Sequence, residues 1–320
     1  MLELKNVQID NGMRFDHVFR AGEICVVLGG NRSGKTDLCR FLAGLPSKVS
    51  GELVLDGQQL ISESRRSAAL VFQAFVNYPN MTVRENIAAP LKHRRLTDDE
   101  ITEKTEHLAA LLGIAEFLER LPQALSGGQQ QRVAIARALA KEARLLIMDE
   151  PLVNLDFKLR ERLGRELMGV LKQTGAIVVY ASTDPHDAYH LADHLLVLDD
   201  GTKLQSGPPM EVYRKPRSPR AMSLTSDPQA NFWASGQSLK AIRPEHLGLV
   251  TTDQSEAVRF EVLGIEQTGA RTLLYGKPTE LVSEQDFWTV WLDDPDPGCV
   301  PGESVTLFAK VSDIQSFVAS

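Results

Sequence analysis

The stretch Gly29-Gly30-Asn31-Arg32-Ser33-Gly34-Lys35-Thr36 decides the fold of this chain. It fits G-x-x-x-x-G-K-[ST], the pattern of the phosphate-binding P-loop. Before it, residues 23–28 form a largely apolar run with the length of a buried strand, and after it residues 37–43 are compatible with a short helix. Strand, glycine loop and helix in this order are the context that the motif requires.

The residue types of the loop suit a chain of phosphates. Glycines let backbone N–H groups close around an anion because no Cβ obstructs the turn, and the helix that follows directs its positive pole towards the same anion. We expect Lys35 to reach the outer phosphates and the Thr36 hydroxyl to hold Mg²⁺. The alternative, a glycine turn with an incidental lysine, is disfavoured because all four specified residues occur at the required spacing over eight positions, in the right context.

Length, charge and cysteine content favour some classes of protein over others. The 320 residues suffice for one large domain and a smaller one, and their net charge of -7 argues against a protein that binds nucleic acid. Three cysteines without paired spacing favour a reducing compartment. The N-terminus has no signal-peptide pattern, and no stretch reaches the ~20 apolar residues that span a bilayer. Any work at a membrane would need other chains to cross it.

Apolar runs and helical patterns alternate over the first two thirds of the chain. Thr97 and Glu100 form a capping box before one helical pattern, and residues 80–137 are mostly helical in character. Strands that alternate with helices predict an α/β domain with a largely parallel sheet. The runs with the length of buried strands are residues 23–28, 68–72, 145–148, 177–180 and 195–198.

The character of the sequence changes near residues 215–219, where proline and charge suggest a linker. Beyond it, apolar residues alternate with polar ones at 258–262, and short apolar runs follow at 287–292 and 305–309. Several short strands with few helices predict a small β-barrel. We therefore expect an α/β domain over residues 1–217, with a helical subdomain at about 80–137, and an all-β domain over 218–320.

Two adjacent acids, Asp149 and Glu150, end the apolar run 145–148. Burying adjacent carboxylates is costly unless a cation or hydrogen bonds meet them. Beside a P-loop, we expect Asp149 to bind Mg²⁺ directly or through water, and Glu150 to orient or polarise the water that attacks the γ-phosphate. The alternative is an exposed acidic strand end.

The string Leu125-Ser126-Gly127-Gly128-Gln129 marks a second helix start. Ser126 and Gln129 match a capping box, which is a sufficient structural reason for both. The two glycines also leave free N–H groups at a helix N-terminus, where an anion can bind. With this string, the chain resembles the ATP-binding-cassette (ABC) ATPases, whose order of motifs it follows: P-loop, glutamine loop at Gln73, LSGGQ signature, Asp149-Glu150, and Asn154-Leu155-Asp156.

The resemblance implies ATP with Mg²⁺ as ligands and a pair of cassettes as the working unit. In that family two ATPase subunits, like or unlike, meet head to tail, and each ATP lies between one P-loop and the other subunit's signature. It implies that Ser126, Gly127, Gly128 and Gln129 contact the partner's nucleotide. Gln73 would touch Mg²⁺ or the attacking water and report to the membrane partner, and Asp156 would help to join the two halves.

Further strings are similar to one branch of the family, the importers of carbohydrates, polyols and glycerol phosphate. They are residues 81–87, the string Arg243-Pro244-Glu245-His246-Leu247, and the glycerol-importer-like segments 75–79 and 226–228. The C-terminal region resembles the OB-like (TOBE) regulatory domain of that branch. The resemblance implies membrane-spanning permease subunits, a periplasmic or extracellular solute-binding protein that acts through them, and a peripheral place on the cytoplasmic face of the inner membrane.

Two positions depart from the family pattern. Thr183 stands where the family usually has a histidine that contacts the γ-phosphate, and threonine is shorter and never cationic. We expect a site that binds ATP but hydrolyses it slowly, so the alternative function is a nucleotide-gated, weakly hydrolysing subunit of a heterodimeric pair. The second departure is the absence of an aromatic residue at 8–13 to stack on adenine. Phe15 is the nearest candidate, but it could equally be a core strand residue.

Overall fold

The computed structural model describes residues 1–60, 68–72, 76–152, 157–251 and 254–318. It divides into two compact units, Met1–Val212 and Tyr213–Ser320. The expected boundary of independent domains after residue 217 stays a prediction. Within the described residues, no helix combines the length and the apolar character needed to cross a bilayer.

The first unit is built on a six-stranded sheet. Five of its strands pair in parallel, and the sixth closes one edge antiparallel to its neighbour. The predicted α/β fold with a largely parallel sheet is therefore confirmed. In sheet order the strands are β10 (Thr202–Gly207), β9 (His194–Asp199), β3 (Ile24–Leu28), β8 (Ile177–Ser182), β7 (Leu145–Asp149) and β6 (Ala68–Val71).

A second, antiparallel sheet completes the core of this unit. Its order is β2 (Phe15–Phe19), β1 (Leu2–Ile9), β4 (Val49–Leu55) and β5 (Gln58–Gln59). Leu4 of β1, Val27 of β3 and Leu38 of the first helix belong to one buried apolar cluster. Strands β3, β7 and β8 are buried along their whole length, which is why they read as continuous apolar runs.

Helices of the first unit begin at local signals in the sequence. The Thr97–Glu100 capping box is confirmed, since Thr97 Oγ1 accepts from Glu100 N and Glu100 Oε2 accepts from Thr97 N. The three helices α2 (Val83–Ala88), α3 (Asp98–Leu111) and α4 (Gly127–Ala140) pack on one another. Further helices are α1 (Lys35–Leu42), α5 (Phe157–Gln173) and α6 (Pro185–Leu191), and α7 (Pro209–Arg214) begins in this unit and ends in the second.

The second unit is mainly antiparallel β-structure, preceded by the short helix α8 (Pro219–Leu224). Trp233, Phe260 and Trp288 lie in its apolar core. One sheet has the order β11 (Asn231–Ser235), β12 (Ser238–Ile242) and β18 (Gln315–Val318). The other has the order β13 (Leu247–Gly248), β17 (Ser304–Lys310), β14 (Ser255–Gln267), β15 (Thr272–Pro278) and β16 (Trp288–Leu292). Its outer strands, β13 and β16, contact each other, so the predicted barrel-like fold is confirmed.

Candidate functional site

The P-loop joins β3 to α1, as predicted. Helix α1 begins at Lys35, two residues before the segment 37–43 that was expected to be helical, and Gly34 directly before it has a φ of 95°. That backbone favours glycine. Gly29 is required for a different reason: a Cβ there would lie 2.4 Å from the Leu198 carbonyl oxygen and 2.5 Å from Ser33 Oγ. The two glycines are therefore required by the tight backbone of the loop itself, apart from any ligand that it binds.

Two backbone hydrogen bonds join this loop to the end of β8 and to the turn that follows β9. Gly29 N–H donates to the Ser182 carbonyl at the end of β8 at 3.2 Å. Gly201 N–H, in the turn between β9 and β10, donates to the Ser33 carbonyl at 3.0 Å. The loop's shape is thus set by residues that are distant in the sequence.

The Lys35 side chain lies over its own loop. Its Nζ donates to the carbonyl oxygens of Gly29 and Gly30, each at 2.8 Å, and lies 3.8 Å from Glu150 Oε1. The residue is only 5% exposed. Burial lowers the pKa of Lys35, while the charges of Glu150 and Asp149 oppose the change. A buried cation is therefore placed where an anionic ligand would approach the glycine loop.

Asp149 and Glu150 stand at the end of β7, next to this lysine. Asp149 is 4% exposed, and its Oδ1 has no hydrogen-bond partner among the described residues. Burial raises the pKa of Asp149, and a hydrogen bond from Thr36 opposes the rise. Glu150 has a φ of 50°, and its N–H donates to the Ala181 carbonyl of β8 at 3.0 Å.

These residues fit a magnesium ion. A buried carboxylate oxygen without a partner is costly, and a cation would relieve that cost. The Thr36 hydroxyl beside Asp149 supplies a second oxygen, and Mg²⁺ prefers oxygen ligands, of which a protein usually provides one or two. No cluster of three or more His, Cys, Asp or Glu side chains suited to a metal occurs in the described ranges. The donor set therefore suits Mg²⁺ shared with phosphates.

The string Ser126–Gln129 forms the N-terminus of α4, and its predicted capping box is confirmed. Ser126 N–H donates to Gln129 Oε1 at 2.9 Å, and Gln129 N–H donates to Ser126 Oγ at 3.4 Å. Ser126 and Gly127 are exposed, and Gly128 is partly exposed. The helix start is therefore open to a neighbouring molecule.

Other predicted positions have different outcomes. Gln73 and the string Asn154-Leu155-Asp156 lie outside the described residues. Thr183 is exposed and directly follows Ser182, the residue that accepts the Gly29 N–H bond. Phe15 belongs to β2 and packs against the apolar cluster of the first unit, as a core strand residue does.

Sequence reasoning missed a charged cluster next to Thr183. Arg160 of α5 pairs with Asp184 and Asp187 at the start of α6. An available signal was Asp184-Pro185, since a capping residue followed by proline marks a helix start. The pairing with an arginine of another helix had no signal in the sequence.

Comparisons with known proteins agree with this arrangement. A family model described as "ABC transporter" matches residues 13–153. The chain is 33% identical to the sn-glycerol-3-phosphate import ATP-binding protein UgpC of Vibrio vulnificus strain YJ016, over 94% of this chain and 87% of that protein. The protein of the same name from Chromohalobacter salexigens is 37% identical over 85% of this chain and 80% of its own length.

Solved structures show the same cassette. One is a dimeric post-hydrolysis state of the ATP-binding cassette MJ0796 bound to ADP and Pi, with a TM-score of 0.59 and 26% identity over 65% of this chain and 98% of that one. Another is cbiO1 from Clostridium perfringens, part of the transporter complex cbiONQ, with a TM-score of 0.60 and 25% identity over 70% of this chain and 94% of that one. With its glycine loop, paired acids and capped signature helix, and with relatives that match it over most of its length, the chain belongs to the ABC transporter family.

Proposed function

We propose that this chain is the ATP-binding and ATP-hydrolysing subunit of an importer for a carbohydrate, polyol or glycerol-type solute. The observation that carries the proposal is the buried group formed by Lys35, Asp149 and Glu150 at the glycine loop. It combines a cation for the phosphates with the Asp149 carboxylate, whose Oδ1 lacks a described hydrogen-bond partner, and with the Glu150 carboxylate beside the cation. The relatives named as sn-glycerol-3-phosphate import proteins make that solute the first to test.

The roles of the site residues follow from their chemistry. The N–H groups of residues 29–36 bind the phosphate chain, and Lys35 Nζ exchanges its contacts with the Gly29 and Gly30 carbonyls for contacts with phosphate oxygens. Thr36 and Asp149, with Gln73, hold Mg²⁺, which neutralises phosphate charge when bound. Glu150 orients the attacking water and accepts its proton. Thr183 donates one hydrogen bond to the γ-phosphate.

A second cassette completes each site. Ser126–Gln129 is open at the start of α4 and belongs to a different element from the P-loop. We infer that these residues contact the nucleotide of the partner subunit and that Asp156 joins the halves. ATP binding closes the pair, and hydrolysis with product release reopens it.

The proposal extends to the other components of the importer. Permease subunits cross the membrane and contact the helical subdomain at about residues 80–137, while a solute-binding protein outside the inner membrane delivers the solute to them. This chain works on the cytoplasmic face, and residues 218–320 form a regulatory domain. The comparisons lend no support to a weakly hydrolysing subunit of a heterodimeric pair, and that alternative is one outcome of the experiment below.

Two measurements on the full chain test the proposal. The first is size-exclusion chromatography of the Glu150→Gln variant with and without ATP, which detects ATP-dependent dimers. The double variant Glu150→Gln, Gln129→Glu is the control, in which the dimer interface is disrupted. The second is affinity purification from native membranes, followed by uptake of radiolabelled sn-glycerol 3-phosphate and of maltose in cells with and without the chain. We expect a nucleotide-dependent dimer, co-purified permease subunits and loss of one uptake activity. Failure to bind ATP, or purification without membrane subunits, would contradict the proposal, and a second, unlike ATPase would support the alternative.

A further inference from the structure

Four residues form a closed set of polar contacts around Thr183, which includes the backbone N–H of Asp184. Arg160 contacts Asp184 Oδ2 at 3.0 Å and Asp187 Oδ2 at 2.8 Å. The same Asp187 oxygen accepts from Ser182 Oγ at 2.5 Å, and Ser182 Oγ accepts from Asp184 N at 3.0 Å. Thr183 is the residue between Ser182 and Asp184. We call these four residues, Arg160, Ser182, Asp184 and Asp187, the switch clamp.

The clamp fixes the chain on both sides of Thr183. On one side, Ser182 ends β8, lies opposite Leu28 in the parallel sheet and accepts the Gly29 N–H bond. On the other side, Asp184 Oδ1 accepts from His186 N at 2.8 Å and so caps α6. The Thr183 side chain is exposed between these two anchors. The P-loop and the Thr183 backbone are therefore connected through one residue, Ser182.

The clamp depends on a partly buried ion pair, in which the Arg160 side chain is 26% exposed. The Asp187 side chain is 12% exposed, and the Tyr180 hydroxyl also hydrogen-bonds to it. Burial lowers the pKa of Arg160, but Asp187 and Asp184 outweigh that effect and the net pKa is raised. Removing Arg160 leaves the buried Asp187 carboxylate without this cation, and an unpaired buried charge is costly. Arg160 is thus the cation on which the positions of both aspartates depend.

We propose that Arg160 is a positioning residue for ATP hydrolysis, which acts through the switch clamp to hold Thr183 at the γ-phosphate. This inference rests on the proposed function. Threonine carries a single hydroxyl on a short side chain, so a displaced backbone cannot be offset by a longer reach. A misplacement of about 1 Å can reduce a rate roughly 100-fold. Loss of Arg160 should therefore lower the rate of ATP hydrolysis without weakening the binding of ATP.

The test uses the full chain and variants Arg160→Met, Arg160→Lys and Asp187→Asn. The matched control is Arg165→Met, which alters an exposed arginine of the same helix. Single-turnover hydrolysis of radiolabelled ATP with Mg²⁺ resolves slow rates, a fluorescent ATP analogue reports affinity, and thermal unfolding reports folding. Each variant is also combined with Thr183→Ala.

We expect Arg160→Met and Asp187→Asn to reduce the hydrolysis rate by about tenfold or more with the nucleotide Kd changed by no more than about twofold. Arg160→Lys should recover part of the rate, because it keeps the charge but not the forked geometry. The Arg165→Met control should match the unaltered chain. In the Thr183→Ala background, the loss caused by Arg160→Met should disappear, because both changes remove the same contact.

Three results would overturn the inference: a rate loss no larger than that of Arg165→Met, a loss explained by weaker nucleotide binding, or losses that multiply when Arg160→Met and Thr183→Ala are combined. If Arg160→Met fails to fold, the hydrolysis rates and nucleotide affinities of Arg160→Lys and Asp187→Asn are compared with those of Arg165→Met in its place. An unaltered chain that neither binds nor hydrolyses ATP would instead refute the proposed function, so the two failures are distinguishable.

Discussion

Lys35 Nζ lies 3.8 Å from Glu150 Oε1 in a buried part of the site. The lysine follows β3 and the glutamate follows β7, two strands separated by β8 in the sheet. A cation that attracts phosphates and a carboxylate that can take a proton therefore meet at the carboxyl edge of one sheet. This relationship is the basis of the first prediction.

Glu150→Gln should abolish rapid hydrolysis and leave ATP binding intact. Glutamine keeps the shape of the side chain but cannot accept the proton of the attacking water, and loss of a general base costs roughly 10²- to 10⁴-fold in rate. Single-turnover hydrolysis and equilibrium binding of a fluorescent ATP analogue measure the two effects separately. Glu103→Gln, at an exposed position of α3, is the matched control. A Glu150→Gln rate within twofold of the unaltered chain would rule out this role.

Asp149→Asn should reduce the additional thermal stability that Mg²⁺ gives to the ATP-bound chain. The Oδ1 atom without a described partner becomes a neutral amide atom, which is a poorer ligand for a hard cation than a carboxylate. Thermal unfolding with ATP in EDTA and with ATP in Mg²⁺ gives the magnesium-dependent increase in Tm. We expect that increase to fall by at least half in Asp149→Asn, while the increase in EDTA remains. An equal magnesium effect in both proteins would argue against this ligand.

Thr183→His should accelerate hydrolysis by roughly tenfold or more, because an imidazole is longer than a threonine hydroxyl and can carry a proton at the γ-phosphate. The nucleotide Kd should change little. Steady-state phosphate release at saturating ATP measures the gain. If the rate does not rise, threonine already suffices at this position, and the expectation of slow hydrolysis is wrong.

The buried His17 should make the fold sensitive to acid. Burial, with the charge of Lys203, lowers the pKa of His17 to about 3. Between about pH 3 and 6.5 the unfolded chain binds a proton that the folded chain does not, so stability rises with pH across this window. At pH 5 this group alone reduces the free energy of unfolding by about 2 kcal/mol relative to pH 7.5.

Urea unfolding at both pH values checks this sign. His17→Gln should lose about 2 kcal/mol of the pH dependence, whereas His107→Gln, which changes an exposed histidine of α3, should retain it. Equal pH dependence in both variants would show that His17 titrates normally in the folded protein.

The parts of the fold and site that were predictable depend on neighbouring residues. The P-loop needs glycines within eight consecutive positions, and the capping boxes at Thr97 and Ser126 join residues three apart. Buried parallel strands are apolar on both faces, and so they stood out as continuous runs. The Asp149-Glu150 pair was interpretable because buried acids require a partner.

Long-range contacts could not be predicted in the same way. Gly34, which directly precedes α1, lies close to Ile9 of β1, since a Cβ at Gly34 would lie 2.7 Å from Ile9 Cγ2. The pairing of Arg160 with Asp184 and Asp187 joins α5 to α6, and no periodicity encodes which arginine faces which acid.

The amino-acid sequence by itself determined the class of this protein, because phosphate-binding loops, helix caps and buried strands are specified by residues adjacent in the chain. The tertiary structure decided how those parts meet: that Lys35 lies beside Glu150, that Gly29 donates to Ser182, and that the neighbours of Thr183 on both sides belong to the switch clamp. The physical reason is that these contacts depend on the order of strands in the sheet and on the packing of the helices. Side chains from many distant parts of the sequence together determine that order and that packing.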